Sequence, residues 1–166
     1  VATLLQKNGY ETAIVGKWHL HTEPQGFDYY SVLPGQGNYF DPIFKESGTK
    51  WTRKKEGKKY KGYVTDVITD NSLNWLENRK GEKPFFMMLH HKAPHGLWEY
   101  APRHEHLFDD VNIPEAESLY EDKSHRSQGS KSYGRDILGL SQRMHDGKRG
   151  KDYPTGKLNT DGMTNK

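Results

Sequence analysis

Residues 8–20 read NGYETAIVGKWHL, and residues 84–95 read PFFMMLHHKAPH. In the first stretch, Asn8-Gly9 marks a helix C-terminus with glycine in the left-handed position, closing turns that carry Leu4 and Leu5. Thr12, Ile14 and Val15 make residues 11–15 a short buried strand. Gly16 to His21 then leave its carboxyl end, which in an α/β sheet is where ligands bind. In the second stretch, the continuous apolar run at 84–89 predicts a central strand covered on both faces. His90, His91, Lys92 and His95 follow it at once. Two strand ends thus run into segments rich in histidine and lysine, and that recurrence is the strongest functional signal in the chain.

Outward from these two junctions the pattern is more varied. Residues 22–47 are rich in glycine, proline and aromatics (PQGFDYY, LPGQGNYFDP) and predict a long ordered loop of the kind that carries function. Residues 50–61 (KWTRKKEGKKYK) hold seven basic residues and one acidic one. They read as a solvated hairpin turning at Glu56-Gly57, with lysines protecting an exposed edge. Thr65 is the expected cap of a helix whose Val64, Val67, Ile68, Trp75 and Leu76 share one face. Asp66, Asp70, Asn71, Asn74, Glu77 and Arg79 are expected to stay in water, and Arg79-Lys80-Gly81 to close the helix. A short helix at 102–109, a linker around Ile113-Pro114-Glu115 and a further helix at 135–144 complete the reading.

The chain has 166 residues, of which 32% are hydrophobic, 28% charged and 12% aromatic, so it is polar but not composed like a disordered chain. No apolar run approaches the roughly 18 to 20 residues that a bilayer-spanning helix needs. With no cysteine, these residues contain no disulfide, thiolate zinc site, iron–sulfur cluster or thiol nucleophile. The net charge of +3 is uneven: residues 121–166 carry ten basic and six acidic residues, and everything before them sums to about −1. The opening VATLLQKNGYETAIVG reads as the end of a helix running into a strand, as in a chain entered in mid-domain.

Lys17 and His19 are two apart, so in extended backbone both leave on one face. Lys92 and His95 form a similar pair at the second junction. Parallel strands present their carboxyl ends along one rim, where the two pairs can converge. Lysine supplies a compact positive charge, and imidazole can give or take a proton near neutral pH. Such a cluster suits an oxyanion and predicts cleavage or transfer at a sulfate or phosphate ester. A zinc site of His19, His21, His91 and His95 lacks any HExxH-like spacing, and the lysines among them would repel a cation.

The first stretch resembles the second signature of the formylglycine-dependent sulfatases, G-Y-x-T-x-x-x-G-K-W-H-L-G. Gly9, Tyr10, Thr12, Gly16, Lys17, Trp18, His19 and Leu20 match it, while His21 stands where glycine is usual. Residues 62–95 are similar to the same family's helix and strand, ending in a (K/S)xPH element. The resemblance covers 1–145 and implies part of an alkaline-phosphatase-like α/β/α sandwich with a mostly parallel central sheet. Residues 146–166 are left as a polar segment whose packing partners are missing.

By resemblance, Lys17 holds a sulfate oxygen and His19 assists elimination of sulfate from a covalent intermediate. His95 contacts the sulfate and protonates the leaving oxygen, and Lys92 is a further substrate contact. The resemblance also implies a calcium ion and a formylglycine. Their sequence elements, a C/S-x-P-x-R motif and the Asp and Asp-Asn ligand pairs, are expected outside these residues. The expected partner is a sulfated carbohydrate, not a nucleic acid, with no membrane span and an oligomeric state that the sequence does not reveal. The expected compartment is the periplasm, the exterior or the lysosome. Two alternatives stay open: a phosphatase or phosphonate hydrolase of the same superfamily, and a noncatalytic polyanion-binding module using Lys50–Lys61. Expressed alone, the chain is expected to hydrolyse no aryl sulfate, and a colorimetric assay with an aryl sulfate checks this.

Overall fold

In a computed structural model, residues 1–52, 56–96, 98–120 and 122–129 are described. The expected helix at 135–144 and the segment 146–166 lie outside them. The chain divides into two compact units, 1–107 and 108–166. In the second, the described residues carry two 3-10 turns, Glu117–Tyr120 and Lys123–His125. The candidate site belongs to the first unit, a five-stranded mixed sheet flanked by helices.

Helix α1 (Ala2–Lys7) leads into strand β1 (Glu11–Trp18), with Gly9 at φ 84° between them. Strands β2 (Tyr29–Pro34), β3 (Ile43–Glu46) and β4 (Lys58–Lys59) precede helix α2 (Val64–Glu77) and strand β5 (Phe85–His90). The sheet order is β4-β3-β2-β1-β5. Strand β1 runs parallel to both β2 and β5, while β3 and β4 add antiparallel at the far side. The mostly parallel α/β reading is therefore correct, but several expectations about its parts are not.

The apolar run at 84–89 forms β5, which among the described residues stands at the edge of the sheet beside β1 rather than in its middle. Thr12, Ala13, Ile14 and Val15 are wholly buried, whereas Phe85 and Leu89 of β5 are 46% and 40% exposed, and among the described residues only β1 pairs with β5. Strand β1 also extends to Trp18, three residues past the expected end, so Lys17 sits on the strand itself. Residues 22–47 are not one long loop, since they contain β2 and β3. Tyr30, Ser31, Val32 and Leu33 fill the sheet beside β1, and it is this burial that makes a strand of YYSVLP.

Two apolar layers sandwich the sheet. On one face Val15, Leu33, Tyr39 and Phe44 meet Val64, Val67 and Ile68 of α2. On the other, Ile14, Tyr30 and Val32 meet Trp18, Phe27, Trp51 and Met88. The expected Thr65 cap is replaced by Tyr63, whose extended φ and ψ start α2, while the Val64 amide donates to the Tyr39 carbonyl at 2.7 Å. Arg79 is not left in water. It lies over Trp75 and Phe85 and bonds Glu11 at 2.9 Å. Asn71 likewise turns inward, donating to the Ser31 hydroxyl at 3.2 Å.

The motif residues explain themselves in this frame. The Asp28 carboxylate accepts the Thr12 amide at 2.9 Å, and Gln6 donates to its other oxygen at 2.6 Å, fastening α1 and the β1–β2 connection to the sheet. Trp18 donates to the Thr22 carbonyl at 2.7 Å and packs edge-on against Phe27, turning the chain back after the strand. Gly16 has φ 107°, and a Cβ there would overlap the carbonyl of its β5 partner His90. Gly16→Ala is expected to cost the intact protein about 3 kcal/mol or more, from strain plus overlap. Gly9→Ala, at a positive φ in open space, is expected to cost about 1 kcal/mol. Urea unfolding of the two variants checks this, and equal losses would refute the close-approach argument.

Candidate active site

Strands β1, β2 and β5 end together at Trp18, Pro34 and His90, and the segments leaving them form one rim. Lys17 points there from the last turn of the β1 pleat, and its Nζ donates to Gln36 Oε1 at 2.6 Å. Gln36 Nε2 in turn lies 3.2 and 3.4 Å from the two ring nitrogens of His19. The first expected pair is thus brought together, through a residue that sequence reasoning had left inside a loop.

The second pair is assembled around Tyr39. The Lys92 ammonium sits over the Tyr39 ring, 4.5 Å from its centroid, and the Tyr39 hydroxyl donates to the His95 carbonyl at 2.7 Å. The His95 amide closes a turn onto the Lys92 carbonyl at 3.0 Å. Nδ1 of His95 lies 3.2 Å from the Gly96 carbonyl, an acceptor that claims the proton on that nitrogen. Nε2 is then the atom left to exchange a proton with a ligand. Tyr39 is buried among α2 and the sheet, so its ring and hydroxyl are a rigid support.

Electrostatics connects the two pairs. Burial lowers the Lys17 pKa from the ordinary 10.5. Burial also lowers that of Lys92, with repulsion from Lys17 adding to it and attraction from Glu99 opposing it. Burial raises the Glu99 carboxyl, against the pull of Lys92. The rim therefore holds two partly desolvated lysines, the Lys92 charge opposed by that of Lys17, an arrangement that suits an anion.

The remaining histidines do other work. His90 Nδ1 lies 3.2 Å from the Lys17 carbonyl, an acceptor, so this ring braces β1 against β5. His91 is exposed, as are His104, His106 and His125. His21 takes φ 59°, the left-handed conformation that explains why glycine is usual there, and its ring meets that of His19 edge-on at 5.4 Å. Among the described residues, no group of three or more His, Cys, Asp or Glu side chains is placed to hold a metal ion.

The basic run at 50–61 is arranged differently from the expected local hairpin. Its Lys58–Lys59 forms edge strand β4 against β3, with Ile43 opposite Lys59 and Phe44 opposite Lys58. Lys58 is partly spent on Glu46 at 3.7 Å and on the Tyr60 ring. The register of β3, with Glu46 opposite Ser31, sends Lys50 and Trp51 toward the start of β2, away from the rim. A cavity of about 150 Å³ in this region is lined by Lys45, Trp51 and Lys58 and contains none of the candidate site residues.

The family model described as Sulfatase matches residues 1–143. An N-acetylglucosamine-6-O-sulfatase of Bacteroides thetaiotaomicron is 48% identical over 131 residues, covering 77% of this chain and 22% of that protein. The human N-acetylglucosamine-6-sulfatase is 31% identical over 124 residues, covering 68% of this chain and 22% of its own length. The solved structure of BT4656 in complex with its substrate D-glucosamine-2-N,6-O-disulfate superposes with a TM-score of 0.69 at 47% identity, over 79% of this chain and 26% of that one. The chain thus spans about a quarter or less of the length of these relatives.

The lysine shifts set a pH dependence. A lysine whose folded pKa lies below 10.5 binds fewer protons when folded, so stability rises with pH between the folded value and 10.5. Below that window the full cost of burying the charge remains. Lys92→Met is therefore expected to leave the intact protein at least as stable at pH 7, while weakening inorganic sulfate binding about tenfold or more, equivalent to about 1.4 kcal/mol. Thermal unfolding and calorimetric titration with sulfate read the two effects separately.

Proposed function

Because the chain belongs to the sulfatase family, we propose that the protein carrying it hydrolyses a sulfate ester of a carbohydrate, with a sulfated glucosamine as the substrate class. The observation that carries this reading is the rim, where Lys17, Lys92, His19 and His95 are gathered on two adjacent strand ends with Gln36 and Tyr39 as their supports. The glucosamine assignment draws on the names of the relatives and on the sugar disulfate in the similar structure.

In this reading Lys17 and Lys92 attract the sulfate and balance charge that moves onto its oxygens as the ester bond breaks. Their partial burial makes each charge more effective than it would be in water. His95 acts through Nε2 as the acid that protonates the departing sugar oxygen, its Nδ1 being turned to the Gly96 carbonyl. His19, at the end of β1, lies on the same rim and assists proton movement when sulfate departs. Among the described residues no group of three or more His, Cys, Asp or Glu side chains is placed to hold a metal, and the chain contains neither cysteine nor a C/S-x-P-x-R motif. Calcium and formylglycine, as the resemblance implies them, therefore belong to the protein outside these residues, and no step is assigned to them. By the same resemblance the protein is exported, to the periplasm, the exterior or the lysosome. Residues 1–145 would be part of its catalytic domain, with 146–166 a polar segment whose packing partners lie outside this chain.

The acid role has a specific signature. In the intact protein, His95→Ala is expected to reduce kcat on a sugar sulfate by about 10²–10⁴-fold. Hydrolysis of an aryl sulfate, whose leaving phenolate needs little protonation, should fall much less. Lys17→Ala is expected to reduce both by about 10²–10³-fold. Steady-state kinetics on the two substrates tests this. An equal loss on both with His95→Ala would remove the acid assignment, and unchanged turnover with Lys17→Ala would remove the rim as the reaction site.

A further inference from the structure

We infer that Gln36 is the positioning residue of the rim, holding the Lys17 ammonium and the His19 ring as one unit with both imidazole nitrogens left open. The inference rests on the proposed function for its kinetic consequence, and on geometry alone for the placement.

Gln36 lies in LPGQGNYF, directly after β2, between Gly35 and Gly37 at φ 66° and 67°. The chain reverses on either side of it, and a Cβ on Gly37 would come within 2.9 Å of the Leu33 side chain. This tight bend presents the amide to the rim. Its oxygen accepts from Lys17 Nζ at 2.6 Å, which fixes the orientation of the amide, because only oxygen can accept from an ammonium.

The nitrogen end is the informative one. It is 3.2 Å from Nε2 and 3.4 Å from Nδ1 of His19, almost equidistant from both. A point in the ring plane at those distances would overlap Cε1–H, so the amide nitrogen lies over the face of the imidazole. The contact is a weak N–H to ring-face interaction and not a lone-pair hydrogen bond. It therefore sets the plane of the ring without consuming either nitrogen.

Two lysines and a second imidazole are the charged and titratable groups placed near His19. Lys17 approaches from β1 through Gln36, and the His21 ring lies 5.4 Å away in the same connection. Lys92, leaving β5, reaches the cluster through its repulsion with Lys17. A carboxylate in place of the Gln36 amide would reverse this balance at both of its contacts: it would neutralise Lys17 and attract a proton to His19.

The test uses the intact protein with Gln36→Met, which keeps length and packing, and Gln36→Glu, which keeps the shape but adds charge. The first readout is proton NMR titration of the His19 ring, assigned by its loss in His19→Asn. Gln36→Glu is expected to move its midpoint upward by about one pH unit, a tenfold change in proton affinity. An unchanged midpoint overturns the placement whether or not the protein turns over substrate. The second readout is steady-state kinetics on a sulfated glucosamine. Gln36→Met is expected to lower kcat about tenfold with a smaller change in KM, and Gln36→Glu to raise KM as well and to move the acid limb of the kcat profile upward. Wild-type kinetics in both variants overturns the positioning role. If the wild-type protein hydrolyses no sulfate ester, the proposed function fails, and the titration still decides Gln36.

Discussion

At Gly16 the backbone of β1 turns to a positive φ against the carbonyl of His90, leaving no room for a side chain. The contact closes the last rung of the parallel β1–β5 pairing, and His90 reinforces it from the other strand by reaching the Lys17 carbonyl. Everything on the rim depends on this approach. Lys17 and His19 follow Gly16 directly, Lys92 and His95 follow His90 directly, and the separation of the two strands at this rung sets how close the pairs come. A larger residue at position 16 would push the two cationic segments apart before it touched any ligand.

The supports of the site are drawn from the hydrophobic core, and so its geometry is tied to folding. Tyr39 is buried with Val64, Val67 and Ile68, its carbonyl accepts from the first amide of α2, and its ring and hydroxyl hold Lys92 and the His95 backbone. Tyr63, which caps α2, donates from its hydroxyl to the Glu99 carbonyl at 2.9 Å, and the Asp66–Arg103 fork fastens the following segment to the first turn of α2 at 2.7 and 2.8 Å. The exposed fork contributes little energy by itself. Together these contacts hold the segment after β5 to α2, so that Lys92 and His95 are placed by a helix start as well as by a strand end.

Strand β1 and helix α2 were legible in the sequence because burial there produces a local signature, a β-branched run in one and a 3.6-residue period in the other. Lys17 near the end of β1, and His19, Lys92 and His95 just beyond β1 and β5, stood out in the sequence because they close apolar strands. Strands β2 and β3 were hidden by their company: YYSVLP lies between PQGFD and PGQGN, and IFKE is four residues long. The position of β5 was misread for a different reason. Continuous apolarity reports that a strand has covered faces, not how many strands flank it, and β5 has only β1 beside it among the described residues. Gln36 and Tyr39 gave no chemical signal at all. An amide and a phenol in a glycine-rich turn are ordinary surface residues until the fold brings the turn to the end of β1.

The energetics of the rim follow from its charges. Two lysines held in a partly dry site, with burial lowering the proton affinity of both and Lys17 lowering that of Lys92 further, make the empty rim less stable than a neutral one would be. Glu99 compensates only in part, since burial raises its own pKa while Lys92 opposes that rise. A bound oxyanion offsets what Glu99 does not, because it faces both lysines at once. In the proposed function the unfavourable charge arrangement would be a source of affinity: relief of repulsion would add to direct attraction for a ligand with negative charge on more than one oxygen. Neutral sugar hydroxyls gain none of it. The sulfate group would thus be selected by the lysines, and discrimination among sugars falls to whatever residues meet the ring beyond them.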